Sequence, residues 1–139
     1  NRYINRTFIM NTQDKRKKNI KMKFNVVKNL IFDKNIIIVD DSIVRGNTLK
    51  NIINLLKKNN VKKIYIASGC PKILNKNIYG IDIPNKKDLI CEQKNDKELM
   101  EYFGVDNIIF QDIDDLKKSI QFFNKNITNF ELSVFNCDA

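Results

Sequence analysis

The chain contains no histidine. Ser-His and Cys-His nucleophilic machinery therefore cannot be assembled from its own side chains. Its three cysteines, Cys70, Cys91 and Cys137, are odd in number, widely spaced and without a C-x-x-C pair. They read as free thiols of a cytoplasmic protein, not as a zinc site or a disulfide framework. No apolar run approaches the roughly 20 residues of a membrane span, and no signal peptide is visible. Arginine is also scarce, limited to Arg2, Arg6, Arg16 and Arg45.

What is abundant is lysine, which supplies 21 of the 25 basic residues and gives a net charge of +9. Such a charge raises nucleic acid as a partner. The lysines, however, run from Lys15 to Lys125 without a dominant block, and Asn and Ile are equally frequent. That pattern reads as a coding bias, so neither nucleic acid nor membrane is expected as a partner. The few arginines are more informative, because a planar guanidinium holds phosphate oxygens bidentately and lysine does not. All four lie in the first 45 residues. With 139 residues, 42% of them hydrophobic, the chain fits one soluble domain or part of one. Asn rather than Met at position 1 points to a fragment or a processed product.

The chain is organised around Asn35 to Leu49, NIIIVDDSIVRGNTL. Ile36 to Val39 predict a short strand buried on both faces, as in a parallel sheet. Asp40 and Asp41 follow at the strand's end, then Ser42, a turn with Arg45 and Gly46, and a helix. Ligands of open α/β sheets bind beyond the carboxyl ends of strands. Backbone N–H groups in a tight turn leading into a helix suit a phosphate. Two carboxylates would repel that phosphate unless they face sugar hydroxyls or a magnesium ion. A phosphorylated sugar with Mg²⁺ is the ligand these parts describe. The acidic pair taken alone fits a plain strand cap equally well.

Before this stretch, Asn1 to Met10 reads as a strand with a basic start, and Asn11 to Lys23 as a flexible loop or marginal helix. Phe24 to Phe32 leads into the central strand through a turn at Asp33–Lys34. Beyond it, Leu49, Ile52, Ile53 and Leu56 follow i, i+3, i+4, i+7 and predict an amphipathic helix. Lys63 to Ser68 is the next strand, completing a βαβ unit with a right-handed crossover. After turns at Gly69-Cys70-Pro71 and between Gly80 and Pro84, Asn85 is a candidate cap for a helix through Gln93. A second helix over Asp96–Phe103 is expected to stop at Gly104 in the left-handed conformation. Asn107–Phe110 reads as a strand, Asp112 as the cap of a helix bearing Ile113, Leu116, Ile120 and Phe123. Glu131–Phe135 alternates as a final edge strand.

IVDDSIVRGNT resembles the phosphoribosyl pyrophosphate (PRPP) signature of type I phosphoribosyltransferases: a hydrophobic strand, two acidic residues and a small-residue loop leading into a helix. With NRYINRTFIM before it and YGIDIP, FQDIDDL and ELSVFN after it, the chain is similar over essentially its whole length to the glutamine PRPP amidotransferase family. The resemblance implies an α/β, type I phosphoribosyltransferase fold, in part: a parallel sheet flanked by helices with a mobile catalytic loop. Residues 1–34 would be the first strand and lid, 35–69 the PRPP-binding core, and 70–139 the C-terminal part of the domain. The implied reaction joins glutamine-derived ammonia to PRPP with Mg²⁺, giving 5-phosphoribosylamine and pyrophosphate at the start of purine synthesis. Asp40 and Asp41 would bind the metal and ribose hydroxyls. Ser42, Ile43, Val44, Arg45, Gly46, Asn47 and Thr48 would cradle the 5′-phosphate, mainly through backbone N–H groups. Arg6 and Lys23 would meet the departing pyrophosphate, with Tyr3 packing beside it.

The resemblance also implies feedback inhibition by purine nucleotides, with residues near Asn1 to Tyr3 at a second nucleotide site, and a homotetramer. Asn47 stands where the family usually has Thr, and Asn11 replaces a proline typical of the lid. The family's glutaminase domain with its terminal cysteine nucleophile, the first half of its transferase domain and its helical tail find no counterpart here. Expected alone, the fragment neither hydrolyses glutamine nor turns over. Open alternatives are another type I phosphoribosyltransferase using a purine or orotate acceptor, a non-catalytic PRPP or nucleotide sensor, and a decayed remnant.

Overall fold

The β-branched run after Asp33 forms the first strand of a parallel sheet. A computed structural model describes residues 28–76 and 86–135 of the chain. In it a one-turn helix α1 (Lys28–Ile31) precedes β1 (Asn35–Asp40), α2 (Asn47–Lys58) and β2 (Lys63–Ser68). A 3₁₀ turn over Lys86–Asp88 then leads to α3 (Ile90–Gln93), α4 (Asp96–Phe103), β3 (Asn107–Phe110) and α5 (Ile113–Phe123). The strands pair in the order β1-β2-β3, all parallel. The expected turn before β1 carries Asp33 at φ 54°.

The βαβ unit closes as the hydrophobic spacing requires. Leu49, Ile53 and Leu56 of α2 are buried on one face, against Ile64, Ile66 and Ile108 of the sheet. Leu99 and Phe103 of α4 complete this core. The Asn59 side chain donates to the Leu55 carbonyl at 2.8 Å, satisfying one orphan acceptor at the end of α2. Asn95 and Glu98 form a reciprocal capping box at the start of α4. Its end is Gly104 at φ 65°, as expected. Asp112 caps α5 by accepting from the Asp114 and Asp115 N–H groups.

Three expectations change. β1 is not buried on both faces: Ile37 and Val39 are 65% and 77% exposed. Register places Val39 beside Ala67 and Ala67 beside Ile109, itself 58% exposed. Among the described residues this face of the sheet carries no packed element, whereas the opposite face carries α2 and α4. Glu131–Phe135 forms a turn rather than a strand. Val134 is buried, its carbonyl accepts from both Leu74 and Asn75, and Phe135 N–H closes back on Leu132. The segment up to Gln93 divides into the 3₁₀ turn and α3, and α3 begins after Leu89; Asn85 lies outside the described residues.

Candidate functional site

The parallel register brings the carboxyl ends of all three strands level, with Asp40 beside Ser68 and Ser68 beside Phe110. Beyond that edge the chain turns. Gly69 N–H donates to the Asp40 carbonyl at 2.9 Å, and Gln111 N–H to the Ser68 carbonyl at 3.1 Å. The buried Ser68 hydroxyl donates to the Cys70 carbonyl at 2.8 Å. The first bond holds β2's end against β1's, the second holds β3's end against β2's, and the acidic pair is left at the rim.

Asp40 is half-buried and Asp41 exposed. One Asp40 oxygen accepts from Asp41 N–H at 3.0 Å, and one Asp41 oxygen from the Ser42 hydroxyl at 3.1 Å. Each carboxylate keeps its other oxygen for a ligand. No group of three or more His, Cys, Asp or Glu side chains able to hold a metal occurs among the described residues. The donor set is thus two carboxylates, which fits Mg²⁺ completed by substrate oxygens and water rather than an all-protein cage.

From Asp41 the chain runs through Ser42–Arg45 to Gly46, the N-cap of α2, at φ 71° and ψ −1°. No side chain caps this helix. Its first N–H groups therefore lack a side-chain acceptor, and together with the helix dipole they favour an anion. Lys50 N–H makes the first helical bond, to the Gly46 carbonyl at 2.8 Å. Asn47 and Thr48 are exposed at the opening.

The loop's remaining side chains serve to anchor it. Ile43 is buried in the main core, and Val44 packs against the smaller cluster of Ile73 and Leu89. Their carbonyls face α3: Ile90 N–H donates to Val44 at 3.0 Å, and the Cys91 thiol reaches Ile43 at 3.9 Å. Arg45 pairs with Asp88 at 3.2 Å, in a cleft of about 200 Å³ that Asn47, Lys94 and Tyr102 also line. A Cβ on Gly46 would lie 2.6 Å from Phe103 Cζ. Sequence reasoning passed over Asp88, Ile90 and Phe103. Gly46 was the one local signal, a glycine where the chain must both turn left-handed and pass close to another element.

A roomier hollow of about 460 Å³ between α5 and residues 128–132 is lined by Lys117, Gln121 and Phe130 among others. It lies away from the strand ends, and its lining residues bring together no acid–base or metal-binding cluster. The two described thiols are not candidate nucleophiles. Burial, then the charge of Asp41, raises Cys70. Burial pushes Cys91 up to about 11, with nearby Lys72 opposing and Asp96 adding to the effect. Both stay protonated at neutral pH. Tyr3, Arg6, Lys23, the loop from Asn11 and Cys137 lie outside the described residues.

An open parallel sheet whose first strand ends at Asp40, with Asp41 next and a left-handed glycine leading into an uncapped helix, has the layout of a phosphoribosyltransferase domain. The phosphoribosyl transferase domain family matches residues 3–106. The chain belongs to that family, and its fold is the type I phosphoribosyltransferase fold. Within it, the chain is 45% identical to amidophosphoribosyltransferase of Haemophilus influenzae over 135 residues, covering 97% of this chain and 27% of that protein. It is 43% identical to the Escherichia coli amidophosphoribosyltransferase over 136 residues, covering 98% of this chain and 27% of that protein. The glutamine PRPP amidotransferase of B. subtilis, solved with ADP and GMP, superposes with a TM-score of 0.76 at 29% identity. That alignment covers 99% of this chain and 30% of the B. subtilis chain. The chain thus spans 27% of the length of these curated relatives.

Proposed function

We propose that this chain supplies the PRPP-binding part of an amidophosphoribosyltransferase, which joins glutamine-derived ammonia to PRPP to give 5-phosphoribosylamine and pyrophosphate, the first step of purine synthesis. The observation that carries the reading is the rim itself: two adjacent carboxylates with free oxygens, one loop away from an uncapped helix N-terminus. Relatives bearing the amidophosphoribosyltransferase name support the choice of ammonia over a purine or orotate acceptor.

The residues divide the work by charge. Ser42 to Thr48 receive the 5′-phosphate on backbone N–H groups and on the helix dipole. Asp40 and Asp41 accept from the ribose hydroxyls and hold Mg²⁺, which supplies charge neutralisation on the pyrophosphate. A carboxylate pair beside the sugar also favours positive charge developing at C1 as the C1–oxygen bond to pyrophosphate lengthens. Ammonia's lone pair forms the new C1–nitrogen bond, pyrophosphate leaves with the electrons of the broken one, and the C1-bound ammonium gives up one proton to water to become the amine. Arg6 and Lys23 are assigned to the leaving group, and Tyr3 to packing beside it. Feedback by purine nucleotides, a homotetramer and a cytoplasmic location belong to the same proposal. No helix among the described residues is long and apolar enough to cross a membrane.

The test is ammonia-dependent pyrophosphate release from PRPP by the complete gene product, so that glutamine hydrolysis is not required. Release that needs Mg²⁺ and falls at least about 100-fold in Asp41→Asn is expected, from the loss of a charge acting on the reacting sugar. Release only with a purine or orotate acceptor would contradict the assignment.

A further inference from the structure

We propose that Asp88 is a positioning residue for the phosphate loop, acting on it through Arg45. The inference deepens the proposed function and rests on it, since the loop's shape matters only if the loop binds the phosphate.

Three contacts converge on residues 44–46 from the stretch between the 3₁₀ turn and the end of α4. Ile90 N–H fixes the Val44 carbonyl at 3.0 Å. The Phe103 ring occupies the space a side chain at Gly46 would need, at 2.6 Å from an added Cβ. Between these two points, Arg45 Nη2 meets Asp88 Oδ2 at 3.2 Å. The first contact sets which way the loop's carbonyls face, and the second sets how closely the turn approaches α4. The ion pair ties down the one long side chain in between.

Its direction matters. Arg45 is the loop's arginine, and a guanidinium is able to hold phosphate oxygens bidentately. In the structure the guanidinium turns aside to Asp88, which neutralises it. The phosphate is then left to the backbone N–H groups and the open end of α2, and Arg45 acts on it by holding those donors in place. Loops that are ordered before binding lose less entropy on binding, so releasing Arg45 weakens affinity without removing any contact to the ligand. The two side chains are 30% and 39% exposed, so the pair can be broken without opening the core. Lys87 and Lys94 are the other charged residues that line this cleft.

The experiment is a double-mutant cycle in the complete gene product with Asp88→Asn, Arg45→Gln and both together, reading KM and kcat for PRPP, the dissociation constant of Mg·PRPP and the melting temperature. A part-exposed ion pair sets the scale at roughly three- to fivefold. Each single variant is expected to raise the PRPP KM by that factor, and the double variant by no more than either alone, because both remove the same tie. In Asp88→Asn, kcat is expected to stay within about twofold while KM rises, and Asp88→Glu is expected to restore KM; a general loss of folding moves both constants and the melting temperature together. A wild-type KM in Asp88→Asn, multiplied effects in the double variant, or a loss in Arg45→Gln far beyond that in Asp88→Asn would overturn the proposal. The last outcome would place Arg45 on the phosphate itself. Failure of the wild-type protein to bind Mg·PRPP would instead remove the functional reading, and this inference with it.

Discussion

At the scale of single residues, Gly46 meets two demands together. Its φ of 71° lies where L side chains are strained, and an added Cβ would meet Phe103 Cζ at 2.6 Å. Gly46→Ala is expected to lower the unfolding free energy by about 2 kcal/mol, combining left-handed strain with overpacking. Urea denaturation checks the value, and a wild-type midpoint would contradict it. Cys91 yields a second prediction. Its thiol is raised from 9.0 to about 11 by burial, so the folded state keeps a proton that the unfolded chain loses first. The stabilisation is complete below pH 9 and fades as pH rises from about 9 to about 11. Unfolding free energy should therefore fall more steeply over that window in the wild type than in Cys91→Ala, as parallel denaturant titrations would reveal. At this scale the acidic pair, Ser42 and the glycine turn were legible, because each is a local chemical requirement. Asp88 and Phe103 were not, since they lie 43 and 58 positions beyond Arg45 in sequence numbering and only the fold brings them to the loop.

Among the elements, the periodic ones announce themselves. The i, i+3, i+4, i+7 spacing of α2 and the glycine stop of α4 at Gly104 are written within a dozen residues, whereas the Asn95–Glu98 capping box emerges from the structure. Asn95→Ala removes the acceptor for Glu98 N–H, at 2.9 Å, and is expected to cost about 1 kcal/mol. An unchanged thermal or chemical midpoint would show that the box contributes nothing to α4. Glu131–Phe135 misleads because period two needs a partner strand to become structure. Here the single buried residue Val134 is met by the N–H groups of Leu74 and Asn75, and the chain turns back at Phe135. The split before α3 was hidden for a similar reason. Leu89 and Ile90 are both buried but join different clusters, so the apolar pair does not mark one helix face.

Across the whole molecule, the parallel order β1-β2-β3 follows from strands alternating with helices, and that alternation is plain in the sequence. Which faces are covered is not, because Ile36 to Val39 are apolar without interruption and carry no sign of sidedness. The structure separates neighbours on β3. Ile108 is buried against α2 and α4, while Ile109 is 58% exposed on the other face. In the 139-residue chain, Ile109→Lys is expected to shift the unfolding free energy by less than about 0.5 kcal/mol. Ile108→Lys is expected to prevent cooperative folding, since it places an unpaired charge in the core. Circular dichroism melts of the two variants would distinguish the faces, and equal losses would contradict the assignment. The central claim is that the acidic rim and the uncapped helix bind PRPP with a metal. It is tested most directly by isothermal titration of the complete gene product with Mg·PRPP, in the wild type and in Asp40→Ala, Asp41→Ala. Saturable, Mg²⁺-dependent binding that is lost in the double variant is predicted, and affinity unchanged by the double substitution would contradict it.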